Sequence, residues 1–186
     1  MNKKKQHIIL NSNEKKTTTP QTLNDLIVAL NEGERTTYNH IIHTTKLEAT
    51  AFKTYASWSN NCYTRNCIVD SEKFELILIC WREGDQTAIH DHGGEECWVK
   101  AIEGEFKETI YKKDETGELK AVKTTISKPN DITYMKDFMG FHRLENMSKK
   151  RSMSLHLYAK PIRNCNVFNE DLKTFENKNL DYDTTA

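Results

Sequence analysis

Two histidines one residue apart open the stretch His90-Asp91-His92-Gly93-Gly94-Glu95-Glu96-Cys97. On an extended chain successive side chains face opposite ways, so both imidazoles project to one side and Asp91 to the other. Neutral imidazoles aimed at one point suit a borderline divalent metal such as iron, zinc, nickel or copper. Taken alone, a His-x-His pair is more often a polar strand face than a metal site. Further along, Ser154, His156 and Tyr158 share one face of a candidate strand, with Met153, Leu155 and Leu157 on the other. Three groups that each donate or accept a proton then lie in a row. Alternation alone favours a half-exposed strand with a polar outer face at that place. Tyr63 and Arg65 share a face in the same manner. An inward Arg65 would need an anionic partner, because a guanidinium stays charged when buried; a carboxylate fits it through two parallel hydrogen bonds. An exposed arginine is an equally good reading of the residues.

The glycines around the histidine pair give the pattern G-x5-H-x-H-x4-C-x6-G from Gly84 to Gly104. This resembles the first metal motif of the cupins, with Cys97 where that motif usually has a carboxylate. His142-Arg143-Leu144-Glu145-Asn146 resembles the H-x3-N end of the second motif, with Asp137 in place of its usual proline. Several blocks together are more specific: Tyr63-Thr64-Arg65-Asn66, Cys80-Trp81, His90-Asp91-His92 with Cys97, Gly104 followed by Lys107-Glu108-Thr109, Gly140-Phe141-His142-Arg143, and Ser154 to Tyr158. Over about residues 47 to 168 the chain resembles the cysteine dioxygenases, and the blocks come in that family's order.

The resemblance implies a jelly-roll β-barrel of cupin type and Fe(II) held by His90, His92 and His142. It implies Arg65 as a clamp on the substrate carboxylate with Tyr63 close by, and Ser154, His156 and Tyr158 as an outer hydrogen-bonded row. Family members with cysteine at the Cys97 position can form a thioether to the tyrosine at the Tyr158 position. The implied reaction converts L-cysteine and O2 to cysteine sulfinic acid, the irreversible level of the thiol oxidation ladder. Alternatives are a dioxygenase acting on 3-mercaptopropionate or cysteamine, or a cupin that binds metal without turnover. The family's Ser-Pro-Pro after the tyrosine is Ala159-Lys160-Pro161 here. Lysine at the first proline argues against a cis peptide, which is costly before a non-proline residue.

The elements that must position these groups follow from periodicity. Residues 1–19 show no apolar period and read as a flexible lead-in. Helices are expected within 20–59. Thr22 caps the first, Leu23, Leu26, Ile27 and Leu30 give it one apolar face, and Gly33 ends it; further helical stretches lie around Tyr38, Ile41 and Ile42, and around Phe52, Tyr55 and Ala56. His40 and His43 on the second read as surface residues. From residue 60 the period becomes alternating, with candidate strands at 62–69, 74–82, 88–92, 96–103, 105–112, 118–127, 131–135, 141–147 and 152–159. Many short strands at this spacing predict an all-β barrel, so 20–168 reads as one domain and 169–186 as a polar tail, disordered or laid over the surface.

The 186 residues suit a single domain. Twenty-seven basic against 27 acidic residues leave no electrostatic footprint for nucleic acid or an anionic membrane. Five cysteines, an odd number at irregular spacing, fit reduced cytoplasmic thiols better than a disulfide framework. No apolar run is long enough for a signal peptide or a bilayer span. Without a heptad pattern, a monomer is expected.

Overall fold

The structure, a computed structural model, describes residues 19–185; all but the last residue of the 1–19 lead-in lies outside them. Helix α1 (Leu23–Glu32) opens with a capping box. Thr22 Oγ1 accepts from the Asp25 amide at 3.1 Å, and the Asp25 carboxylate accepts from the Thr22 amide at 3.0 Å, so two of the orphan donors at the helix start are satisfied reciprocally. Gly33 ends the helix in an extended conformation. Its lack of a side chain matters through contact: a Cβ there would lie 2.8 Å from both the Ala29 carbonyl oxygen and Thr37 Oγ1. Helix α2 (Tyr38–Thr44) follows, with His40 and His43 on its exposed side, and the stretch read as a third helix is a short 3-10 turn at Ala49–Phe52.

Eleven strands are described: β1 (Thr64–Asp70), β2 (Glu75–Trp81), β3 (Cys97–Glu103), β4 (Phe106–Lys113), β5 (Leu119–Ser127), β6 (Ile132–Met135), β7 (Phe141–Asn146), β8 (Ser152–Tyr158), β9 (Asn164–Asn169), β10 (Thr174–Asn179) and β11 (Thr184–Thr185). They form a six-stranded sheet in the order β11-β1-β2-β8-β3-β6, a three-stranded sheet β5-β4-β7 and the hairpin β9–β10. The expected all-β cupin barrel with N-terminal helices is the observed fold.

Two apolar clusters explain why the large sheet is buried on both faces. Leu76, Leu78 and Cys80 of β2 and Met153, Leu155 and Leu157 of β8 pack against Leu26, Leu30, Ile42 and Phe52 of the helical segment. The alternate residues Ile77, Ile79 and Trp81 pack inside the barrel with Val99, Phe106, Leu144 and Tyr158. Each leucine or isoleucine so buried is worth about 1.5–3 kcal/mol relative to exposure. Lys100 of β3, 1 % exposed, ties the layers together. Its ammonium donates to the Thr45 carbonyl at 2.8 Å and the Ile42 carbonyl at 3.3 Å, occupying acceptors at the C-terminal end of α2.

The helices therefore reverse one reading of the residues. With Met153, Leu155 and Leu157 covered by α1 and α2, the polar face of β8 is the barrel interior, and all of β8 is buried.

Two further differences concern strands. The candidate strand 88–92 is a loop joined to the fold by isolated bridges, His90 to His142 and His90 to Val167. The tail beyond 168 forms the last residue of β9 and all of β10 and β11; polar alternation there lacked the apolar face by which strands are recognised.

Candidate metal centre and substrate cleft

His90 is set by backbone bonding in both directions with His142: His90 N–H donates to the His142 carbonyl at 3.0 Å and His142 N–H to the His90 carbonyl at 2.9 Å. The loop between them is held by carboxylates. Asp91 accepts from the Asn166 amide at 2.9 Å and the Asn166 side chain at 2.7 Å, fastening the loop to β9. Asp137 accepts from the His92 amide at 3.0 Å and from the Gly94 amide. The residue that departs from the second cupin motif thus holds the turn that carries His92.

The result brings one ligand atom from each of His90, His92 and His142 within 4.8 Å of one another. Ring centroids are 4.6 Å apart for His90–His142 and for His92–His142. His142 Nδ1 donates to Glu108 Oε1 at 2.6 Å, both side chains being buried. An ionised carboxylate only accepts, so this bond leaves the Nε2 lone pair of His142 facing the centre. His90 Nδ1 donates to the Ala88 carbonyl at 2.9 Å, which frees its Nε2 in the same way. His142 Nε2 and both nitrogens of His92 are buried without a hydrogen-bond partner. Burial, then the neighbouring His142, holds His90 and His92 below the ordinary imidazole range. Imidazoles converging on one point, with His142 Nε2 and both His92 nitrogens left without a partner, are the donor set of a divalent metal site.

Around this centre runs a chain of hydrogen bonds. Trp81 Nε1 donates to Ser154 Oγ at 2.8 Å, Ser154 Oγ lies 2.8 Å from His156 Nε2, and His156 Nδ1 lies 3.5 Å from the Tyr158 hydroxyl. An indole can only donate, so Ser154 Oγ accepts from Trp81 and keeps its own hydrogen available for His156 Nε2. In the tautomer that accepts it, His156 carries its proton on Nδ1, facing Tyr158. Burial, then the charge of Arg65, keeps the His156 imidazole neutral. Cys97 and Tyr158 are register partners on β3 and β8, and both side chains are buried. The Tyr158 ring lies 5.6 Å from that of His92.

A cleft of about 210 Å³ opens beside the histidines, lined by Tyr63, Arg65, His90, His156 and Tyr158 among others. Arg65 Nε and Nη2 are buried in it without a partner. Tyr63 stacks at 5.0 Å on Trp81. The residues singled out from sequence therefore converge on one place. Ala159-Lys160 adopts a trans peptide, none being cis among the described residues, and Lys160 takes a φ of 130°.

Five contributing residues were given no role from the sequence. Glu108 shares the inward parity of Phe106 and Ile110 on β4, a signal that was available. Trp81 reads as core from its neighbours. Lys178, Asn179 and Leu180 line the cleft from a stretch with no apolar pattern.

A jelly-roll barrel with three inward histidines defines a cupin-type metal centre. The family model described as cysteine dioxygenase type I matches residues 10–171. Cysteine dioxygenase type 1 of Homo sapiens is 32 % identical over 161 residues, covering 81 % of this chain and 80 % of that protein. The enzyme of that name from Danio rerio is 30 % identical over 163 residues, with 81 % of each covered. Among solved structures, a double-stranded β-helix domain protein from Klebsiella pneumoniae has a TM-score of 0.45 at 18 % identity, covering 61 % of this chain and 90 % of its own. A cupin superfamily protein from Desulfitobacterium hafniense also gives 0.45, at 14 % identity, covering 57 % of this chain and 84 % of its own. The chain belongs to the cysteine dioxygenase type I family. It is accordingly a thiol dioxygenase. No helix among the described residues is long and apolar enough to cross a membrane.

Proposed function

We propose that this chain converts L-cysteine and O2 to cysteine sulfinic acid, with His90, His92 and His142 holding Fe(II). The observation that carries the substrate is Arg65, a buried guanidinium with partnerless Nε and Nη2 in the cleft beside the three histidines. A carboxylate-bearing thiol supplies the missing anion while its sulfur reaches the centre. A ferrous ion held by these three histidines would supply a positive charge that favours the thiolate form of the substrate and the electron transfers that dioxygen chemistry needs.

The chain's own groups do the rest. Arg65 orients the substrate through its carboxylate, and Tyr63 packs beside it. Ser154 and His156 point the Tyr158 hydroxyl, which accepts from His156 Nδ1–H and can direct its own proton toward the reacting atoms. The buried position of this row keeps bulk water from competing for those hydrogen bonds. Both oxygen atoms of O2 end on sulfur, and the thiol hydrogen ends on the sulfinic acid. Cys97 and Tyr158, already paired in register, are placed to form a thioether with loss of two hydrogens and dioxygen as oxidant. The enzyme works as a monomer in the cytoplasm, where its five free thiols remain reduced.

The test is oxygen uptake by the iron-loaded protein with L-cysteine, 3-mercaptopropionate and cysteamine in parallel, with products identified by mass spectrometry. Cysteine sulfinate as the main product supports the reading. Preference for 3-mercaptopropionate, which has no amine, or for cysteamine, which has no carboxylate, would overturn the substrate. No uptake by a fully loaded sample would favour a binding module instead.

A further inference from the structure

The stretch read from sequence as a surface tail meets Arg65 directly. Strand β11 lies parallel to β1, pairing Asn66 with Thr184 and Cys67 with Thr185. Immediately before it, Asp183 takes both backbone groups of Arg65. The Arg65 amide donates to Asp183 Oδ2 at 2.8 Å, and the Asp183 amide donates to the Arg65 carbonyl at 2.8 Å. Thr184 Oγ1 donates to Asn66 Oδ1 at 2.8 Å. Without these bonds β1 would be a bare sheet edge, with Arg65's amide and carbonyl unpaired.

The same segment is anchored from a second side. The Tyr182 hydroxyl donates to Glu75 Oε1 and accepts from Arg163 Nη1 at 3.0 Å. Glu75 is fully buried at the start of β2, and Leu180 and Tyr182 pack on the interior cluster. The carboxylate of Asp183 is thereby engaged on Arg65's backbone, while Arg65 Nε and Nη2 stay free for a ligand. An anion anchors the strand without satisfying these guanidinium donors.

We infer that the segment Leu180–Thr185 sets the position of the carboxylate clamp, with Asp183 as the positioning residue for Arg65, and so determines selectivity for thiols that carry a carboxylate. This rests on the reading of Arg65 as that clamp. Lys178, Asn179 and Leu180 continue the same segment into the cleft wall, so one stretch of chain both closes the pocket and aims its cation.

The experiment measures, without oxygen, the affinity of the iron-loaded full chain for L-cysteine and for cysteamine, which has no carboxylate. Asp183→Ala is expected to weaken cysteine binding about tenfold and to leave cysteamine within about twofold, because only the carboxylate contact depends on Arg65. Asp183→Asn keeps an oxygen that accepts from the Arg65 amide and restores most of the cysteine affinity. Tyr182→Phe removes the other anchor while keeping the ring in the core; it shifts cysteine affinity in the same direction by about threefold, a readout independent of how well Asp183→Ala folds. Unchanged cysteine affinity in Asp183→Ala, or parallel loss for both thiols, overturns the inference. Arg65→Ala separates the two levels: if it leaves cysteine affinity unchanged, the clamp itself fails and this inference with it. Loss in Arg65→Ala without selective loss in Asp183→Ala removes the inference alone.

Discussion

Replacing Glu108 tests whether the metal centre depends on a carboxylate that is not itself among the three clustered imidazoles. The bond from His142 Nδ1 to Glu108 Oε1 is 2.6 Å long, between side chains 1 % and 4 % exposed. A hydrogen bond to a charged group contributes about 1.5–3 kcal/mol net, and groups that orient a metal-ligating histidine are typically worth about 10- to 100-fold in affinity, or about 1.4–2.7 kcal/mol. The two routes agree. Glu108→Leu removes acceptor and charge together, so iron should be held about 100-fold more weakly. Glu108→Gln retains an acceptor oxygen, but its amide can also turn to donate to His142 Nδ1. That would move the imidazole proton to Nε2 and close the ligating position, so an intermediate loss of about tenfold is expected. The assay is competition for Fe(II) against a chromophoric chelator, with melting of the metal-free proteins as a control for folding. Equal iron affinity in Glu108→Leu and the parent, with similar metal-free melting, would refute the claim that Glu108 sets the tautomer of His142.

Asp137→Ala leaves the His92 and Gly94 amides without their acceptor, and iron should dissociate about tenfold faster; an unaltered rate would show that the turn holds itself. Trp81→Phe deletes the donor at the start of the Ser154–His156–Tyr158 row, so kcat should fall about 3- to 10-fold with little change in the KM for cysteine, and the reverse split would remove the tryptophan from the row. For pH, burial and Arg65 lower His156 well below the ordinary imidazole value of 6.5, so below that value the unfolded chain binds the proton that the folded chain refuses. The contribution is complete above the unfolded pKa and is lost as pH falls. The metal-free protein should lose about 1.4 kcal/mol per pH unit for this residue as pH drops from about 6 to about 5, and a flat melting profile there would contradict a neutral buried His156.

The residues proposed to hold metal and substrate were legible because chemistry restricts their types and alternation their facing. His90 and His92 at a spacing of two and His142 cluster, and Arg65, His156 and Tyr158 line the cleft beside them, an arrangement that the family resemblance implied and alternation alone did not. The strands β1 to β8 were likewise readable, since apolar residues alternate along them, whereas β9, β10 and β11 were not read as strands. The 88–92 stretch has the alternation without the ladder: β9 and β7 each meet it at a single bridge, a partner relation that local sequence does not encode.

What the sequence determined by itself was the set of chemical groups and their parity along each strand. Parity says that Ser154, His156 and Tyr158 face together but not whether that face meets water or the barrel interior. Tertiary structure decided it, because burying Met153, Leu155 and Leu157 under the N-terminal helices leaves the polar face only the inside. The same holds for Glu108 beneath His142 and for Asp183 on Arg65, 34 and 118 residues apart in the chain. Their effect lies in contacts made across strands, and contact at that separation is a property of sheet order and register rather than of either residue's neighbours.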